Sequence, residues 1–130
     1  MPIENGRAKF AYDRAKENVN NQNIENSEYK SYVKKLPQMI KTNGLGATLA
    51  FVFSKKNSTY KAVADDIRLW LEKNKGFGLI DMNGVDDLQK FVDSIIELDS
   101  SKYRALTIEV LSFLNWLRRF ADGLIKEQEE

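Results

Sequence analysis

Apolar residues recur along the chain in steps of three and four, the spacing of one face of an α-helix. The clearest run is "YRALTIEVLSFLNWLRRFADGLIK" near the end. Tyr103, Leu106, Val110, Phe113, Leu117, Phe120 and Leu124 form one row, and Leu111, Leu114, Ala121 and Ile125 form a second beside it. At about 100° per residue the rows cover roughly half the circumference. This helix is therefore expected to touch two or more others and to organise the fold. Arg104, Asn115 and Arg119 fall on its far side. Arg118 sits at the edge of the apolar arc, where an aliphatic stem packs while the guanidinium reaches water. Asp99 or Ser100 supplies the N-cap.

The same period predicts five earlier helices. The first spans about Asn5 to Asn20, with Ala8, Ala11, Ala15 and Val19 in register and Phe10 and Tyr12 beside them. The Asn-rich "NVNNQNIENS" then reads as a polar loop, because Asn competes for the helical backbone's hydrogen bonds. Ser27 is the expected cap of a second helix with Tyr29, Val33, Leu36 and Ile40 on one face. Pro37, lacking an N–H, either kinks that helix or begins a new one. "TNGLG" stops it, since Asn43-Gly44 tolerates left-handed backbone angles. "LGATLAFVFSKK" is apolar nearly all round, as a central buried helix would be, with Gly46, Ala47 and Ala50 admitting close neighbours. Asn57 or Ser58 caps a fourth helix, about Thr59 to Asn74, with Ala62, Ile67, Trp70 and Leu71 inward. After the loop "KNKGFGLIDMNG", a fifth runs from about Val85 to Leu98 with Leu88, Val92 and Ile95 inward. No alternating run bounded by turn signals indicates a strand. The expected fold is an all-α bundle of about six helices. It forms a single domain over residues 1–130, with an ordered core at about 5–125 and a frayed end at 126–130.

Composition sharpens this picture. Hydrophobic residues make up 42%, which supports a packed core rather than disorder. No apolar run approaches the roughly 20 residues that cross a bilayer. "MPIENGRAKF" has acid and Asn where a signal peptide is apolar, so export is not expected. Cys and His are both absent. This removes disulfides, the usual metal ligands, the usual general base and the partner of a Ser or Cys nucleophile. Asp65-Asp66 and Asp86-Asp87 are carboxylate pairs, but neighbours on a helix point about 100° apart. Their expected role is electrostatic, at helix N-termini. The glycines of "NGLGATLA" lack a following Gly-Lys-Ser/Thr and read as a turn with close packing, not a phosphate cradle.

The charge distribution is the feature that points outward. Lys and Arg number 20 against 19 Asp and Glu, yet Tyr29 to Ala64 contains no acid and seven lysines. These are Lys30, Lys34, Lys35, Lys41, Lys55, Lys56 and Lys61. A solvated helix normally pairs Lys with Glu four residues away, and that pairing is missing here. Uncompensated lysines attract phosphate backbones, with counterion release favouring association. Tyr29, Tyr32 and Tyr60 lie among them as candidates for stacking on bases. "WLRRFA" adds Arg118 and Arg119, whose guanidinium groups hold phosphate in bidentate fashion.

"YVKKLPQMIKTNGLGATLAF" together with "YRALTIEVLSFLNWLRRFA" resembles the small helical subunit of the Cmr (type III-B) CRISPR effector complex. The likeness lies in the lysines and Pro before Met-Ile, the Asn-Gly-Leu before Leu-Ala-Phe, and the Tyr-Arg and Trp-Leu-Arg-Arg-Phe-Ala of the last helix. It extends from about Arg7 to Ala121. The resemblance implies a non-catalytic, all-α protein; composition favours a cytoplasmic one, and no cofactor or metal is expected. Such subunits line up beside the guide-RNA-bearing backbone and help form the guide–target channel. Their implied partners are the backbone and large subunits, neighbouring copies of the same chain, and the guide and target RNA backbone, with no membrane. Lys34, Lys35, Lys41, Arg118 and Arg119 lie within the matching motifs as RNA-binding candidates, and Lys55 and Lys56 follow directly after one. Two other readings stand beside it: a helical adaptor that binds only protein, and a small enzyme using Asp65, Asp66, Asp86 or Asp87.

Overall fold

The computed structural model describes residues 3–125, and the side chains from residue 6 onward. The expected fraying at 126–130 lies outside the described residues. Six α-helices follow one another: α1 (Ile3–Val19), α2 (Asn26–Asn43), α3 (Leu45–Lys55), α4 (Ser58–Lys73), α5 (Leu88–Ile96) and α6 (Ser100–Leu124). A short 3₁₀ turn, Lys75–Gly78, follows α4. There is no strand among the described residues. The all-α architecture with a long C-terminal helix is as the sequence predicts.

α6 is the organising element. It packs against α1, α2 and α4, and both of its apolar rows supply fully buried side chains, among them Leu106, Phe113, Leu114 and Leu117. α1 presents Ala11 and Ala15, both fully buried. Trp70 of α4 is held between Phe10 and Phe113, with ring centroids 5.4 and 5.9 Å away. Tyr12 meets Phe120 edge-on at 5.1 Å.

Buried polar groups tie the same helices together. Arg7 forks onto Glu109, Nε to Oε2 at 3.0 Å and Nη2 to Oε1 at 2.7 Å. Trp70 Nε1 donates to the same Oε2 at 2.7 Å, so α1, α4 and α6 share one carboxylate. Asp66, 1% exposed, accepts from Arg14 Nε at 2.7 Å and Asn18 Nδ2 at 2.6 Å. A buried charge is tolerated only when paired in this way.

Several boundaries differ from those read in the sequence. Glu25, not Ser27, caps α2. Its extended backbone lets the carboxylate accept from Glu28 N at 2.9 Å. Ser27 lies inside the first turn and donates its hydroxyl to that same carboxylate. These donors hold the Glu25 carboxyl below the usual range. α2 continues through Pro37, so no new helix begins there. The missing N–H removes one bond, while Leu36 and Ile40 stay anchored in the core on either side. Asn57 caps α4, accepting from Thr59 N and Tyr60 N. α5 starts later than expected, because Asp87 caps it by accepting from Lys90 N at 2.8 Å. Phe91 rather than Val92 joins Leu88 and Ile95 in its buried row.

The largest departure concerns α3. Leu45, Gly46, Thr48, Leu49 and Val52 are buried, but Ala47 and Ala50 are exposed and Phe53 is 45% exposed. The helix lies on the surface rather than at the centre of the fold. A single residue, Gly44 at φ 95°, separates it from α2. That tight joint keeps α3 beside α2 while its start is pinned by α6, where Gly46 N donates to Tyr103 Oη at 2.7 Å. A Cβ on Gly46 would sit 3.3 Å from that oxygen, so any larger residue there must push the Tyr103 hydroxyl aside.

Candidate nucleic-acid interface

α2 and α6 lie side by side, and the groove between them collects basic side chains. On α2, Lys34, Gln38 and Lys41 recur in steps of four and three, with Pro37 beside them. On α6, Leu111, Asn115 and Arg118 recur in the same way. The two rows face each other across a cavity of about 220 Å³. Two lysines and an arginine therefore share its wall with two amides and no acid. Lys34 and Lys41 are exposed, whereas Arg118 is half-buried. The Arg118 Nε is buried and finds no acceptor in the protein. Leaving a buried donor without a partner costs about 1–3 kcal/mol.

Each remaining predicted cation has a place of its own. Lys35 is exposed on α2, its Nζ 5.9 Å from the Tyr32 ring centroid. Arg119 is exposed on α6, 5.9 Å from the Trp116 ring centroid. Lys55 stands 5.3 Å from the Phe51 ring centroid at the end of α3. Lys56 joins Lys61 at a different cavity, between α3, α4 and the start of α5. The structure thus brings together Lys34, Lys41 and Arg118, and it places Lys55 and Lys56 elsewhere. The ion pairs of the described residues take their cations from Arg7, Lys9, Arg14, Arg68 and Lys90. Among the described residues, none of the seven candidates is spent on an acid from another part of the fold.

Two of the three tyrosines are not open to a base. Tyr29 is fully buried, with Asn18 Nδ2 donating to its hydroxyl at 3.3 Å, and burial pushes its phenol up. Tyr60 is buried as well and lies flat on Tyr32, centroids 3.7 Å apart. Core packing has taken these rings because they share the inward faces of α2 and α4.

The carboxylate pairs divide. Asp86 and Asp87 act at a helix start as expected, Asp87 as the α5 cap and Asp86 bonded to Lys90 at 3.0 Å. Asp65 and Asp66 instead lie mid-way along α4. Asp65 pairs with Arg68 at 3.5 Å, and Asp66 is the buried hub described above. The sequence reading missed this hub and Glu109. Their signal was nonetheless present. Arg7, Arg14 and Asn18 share the face of Ala11 and Ala15, and Asp66 lies three residues after Val63 and four before Trp70. Gln38 and Asn115 were missed because uncharged amides at helical spacing look like ordinary surface. Among the described residues no group of three or more carboxylates is placed to hold a metal ion. No described helix is long and apolar enough to cross a membrane.

The helical bundle itself is one found among CRISPR-associated proteins. The crystal structure of a Cmr5 family protein from Thermus thermophilus superposes with a TM-score of 0.76. It is 27% identical, covering 97% of this chain and all of that one. The Cmr subunit Cmr5 of the CRISPR system of the same organism is 31% identical over 120 residues, 92% of this chain and 93% of its own length. The Cas_Cmr5 family of CRISPR-associated proteins matches residues 3–124. The chain belongs to the Cmr5 family, the small subunits of type III-B Cmr systems.

Proposed function

We infer that this protein is a non-catalytic, cytoplasmic, RNA-binding subunit of a Cmr ribonucleoprotein complex. It folds as one domain, lines the guide–target channel and bridges the backbone and large subunits beside neighbouring copies of itself. The observation that carries the RNA contact is the convergence of Lys34, Lys41 and Arg118 on one acid-free groove. The mechanism is contact with the phosphate backbone and not with base edges, because guide sequences vary while the subunit does not. Lys35 and Arg119, on the same two helices, extend the cationic field. Each contact is weak alone and is strengthened by repetition along an assembly. The test is a reconstituted complex carrying Lys34→Ala, Lys41→Ala and Arg118→Ala together. Assembly should be retained while target-RNA loading falls, and unchanged loading would overturn the assignment of these residues. A protein-only adaptor would instead stay bound to its partners after nuclease treatment and make no RNA contact within the complex.

A further inference from the structure

The open side of α3 is not explained by RNA contact. A helix apolar nearly all round is normally covered on every side, yet Ala47, Ala50 and Phe53 face outward. α5 continues this strip with half-buried Val92 and with Ile96, which is 64% exposed. Ile96 Cγ2 lies 3.8 Å from where a Cβ on Gly46 would stand, at the start of α3. The start of α5 meets the end of α3 at a cavity of about 480 Å³, walled by Val52, Phe53 and Leu88. The two helices therefore run antiparallel and hold an apolar strip that ends in a pocket.

Lys56 and Lys61 stand at the pocket's rim. Both are exposed, and neither is ion-paired among the described residues. The one acid in the lining, Asp87, has its carboxylate committed to capping α5. Lys56 is held at φ 52°, ψ 37°, a left-handed conformation that is costly for any residue with a Cβ.

We propose that the α3–α5 face is a docking site for a segment of another protein subunit, one that inserts a large apolar side chain beside Phe53 and sets carboxylates against Lys56 and Lys61. A nucleic acid fits this face poorly. Its strip is largely aliphatic, and Asp93 and Glu97 are exposed along the outer side of α5, where they repel phosphate. A second copy of the chain is also a poor occupant through Ile108, its most exposed large apolar residue: Arg104 stands one helical turn away, and the carboxylate of the adjacent Glu109 is taken by Arg7 and Trp70.

The docking site rests on the reading of the chain as a subunit of a larger assembly, and the test separates the two. A photoreactive benzoylphenylalanine at position 53 is introduced into the chain, which is then assembled with the other subunits of its complex and irradiated. The expected cross-link is to a peptide of a different subunit with a large apolar residue flanked by Asp or Glu. Lys56→Glu with Lys61→Glu should lower incorporation about tenfold with the unfolding midpoint unchanged. Cross-links to RNA or to a second copy overturn the docking site, as does full incorporation of the charge-reversed chain. A wild-type chain that never enters the complex overturns both the assembly reading and this site.

Discussion

Asp66 offers the sharpest test of how this core is balanced. Its carboxylate is 1% exposed, and burial pushes its pKa up to about 6 from an ordinary 3.8. The Arg14 guanidinium and the Asn18 amide pull it back down, and burial outweighs them. Because the folded value lies above the unfolded one, the folded protein holds a proton between pH 3.8 and about 6 that the unfolded chain has released. Stability must then fall as pH rises through that window. Each pH unit of separation is worth about 1.4 kcal/mol, so the full effect is about 3 kcal/mol. Asp66→Asn keeps the shape of the neutral side chain and removes the titration. The assay is urea unfolding of both proteins from pH 4 to pH 7, followed by fluorescence of Trp70 and Trp116. Relative to Asp66→Asn, the wild type should lose about 2–3 kcal/mol across this range. Parallel pH profiles would refute the reasoning. A wild type that gains on the variant as pH rises would show that the 2.7 Å bond to Arg14 outweighs burial.

Other residues make separate predictions. Glu109→Ala removes the carboxylate that Arg7 forks onto and leaves the Trp70 N–H without its acceptor, and should cost about 2–3 kcal/mol in chemical denaturation; a loss under about 1 kcal/mol would mean the fork contributes little. Tyr103→Phe removes the acceptor of Gly46 N and should cost about 1–2 kcal/mol, with faster hydrogen exchange at the start of α3. Lys56→Gly relieves a left-handed backbone and should stabilise the isolated chain by about 1 kcal/mol in thermal unfolding.

The helices were legible because their apolar faces repeat every three to four residues, and α6 with its two rows was the plainest. Their ends were less so. Glu25 caps α2 through a side chain one carbon longer than the usual cap, and Pro37 is carried through by core contacts at Leu36 and Ile40 that no local rule contains. α3 misled because composition reports how apolar a helix is, not whether a partner inside the same chain covers it. The candidate site was half legible. Lys34 and Lys41 could be read as one face of α2, since they are seven residues apart. Arg118 was a candidate by chemistry, but its place opposite them depends on α2 packing beside α6, a contact over 70 residues away in the chain. The aromatic candidates failed for the converse reason: Tyr29 and Tyr60 are at core positions, and a ring serving the core is not available to a base.

The groove itself is most directly tested by salt titration of RNA binding to the isolated protein, using a labelled single-stranded RNA of mixed sequence. Each phosphate contact contributes about 0.7 to the slope of log K against log salt concentration. Replacing Lys34, Lys41 and Arg118 with Ala should therefore flatten the slope by about two and weaken binding at low salt, with Lys55→Ala, Lys56→Ala and Lys61→Ala together changing it less. If the groove substitutions leave slope and affinity unchanged, or the α3 set has the greater effect, phosphate does not bind between α2 and α6.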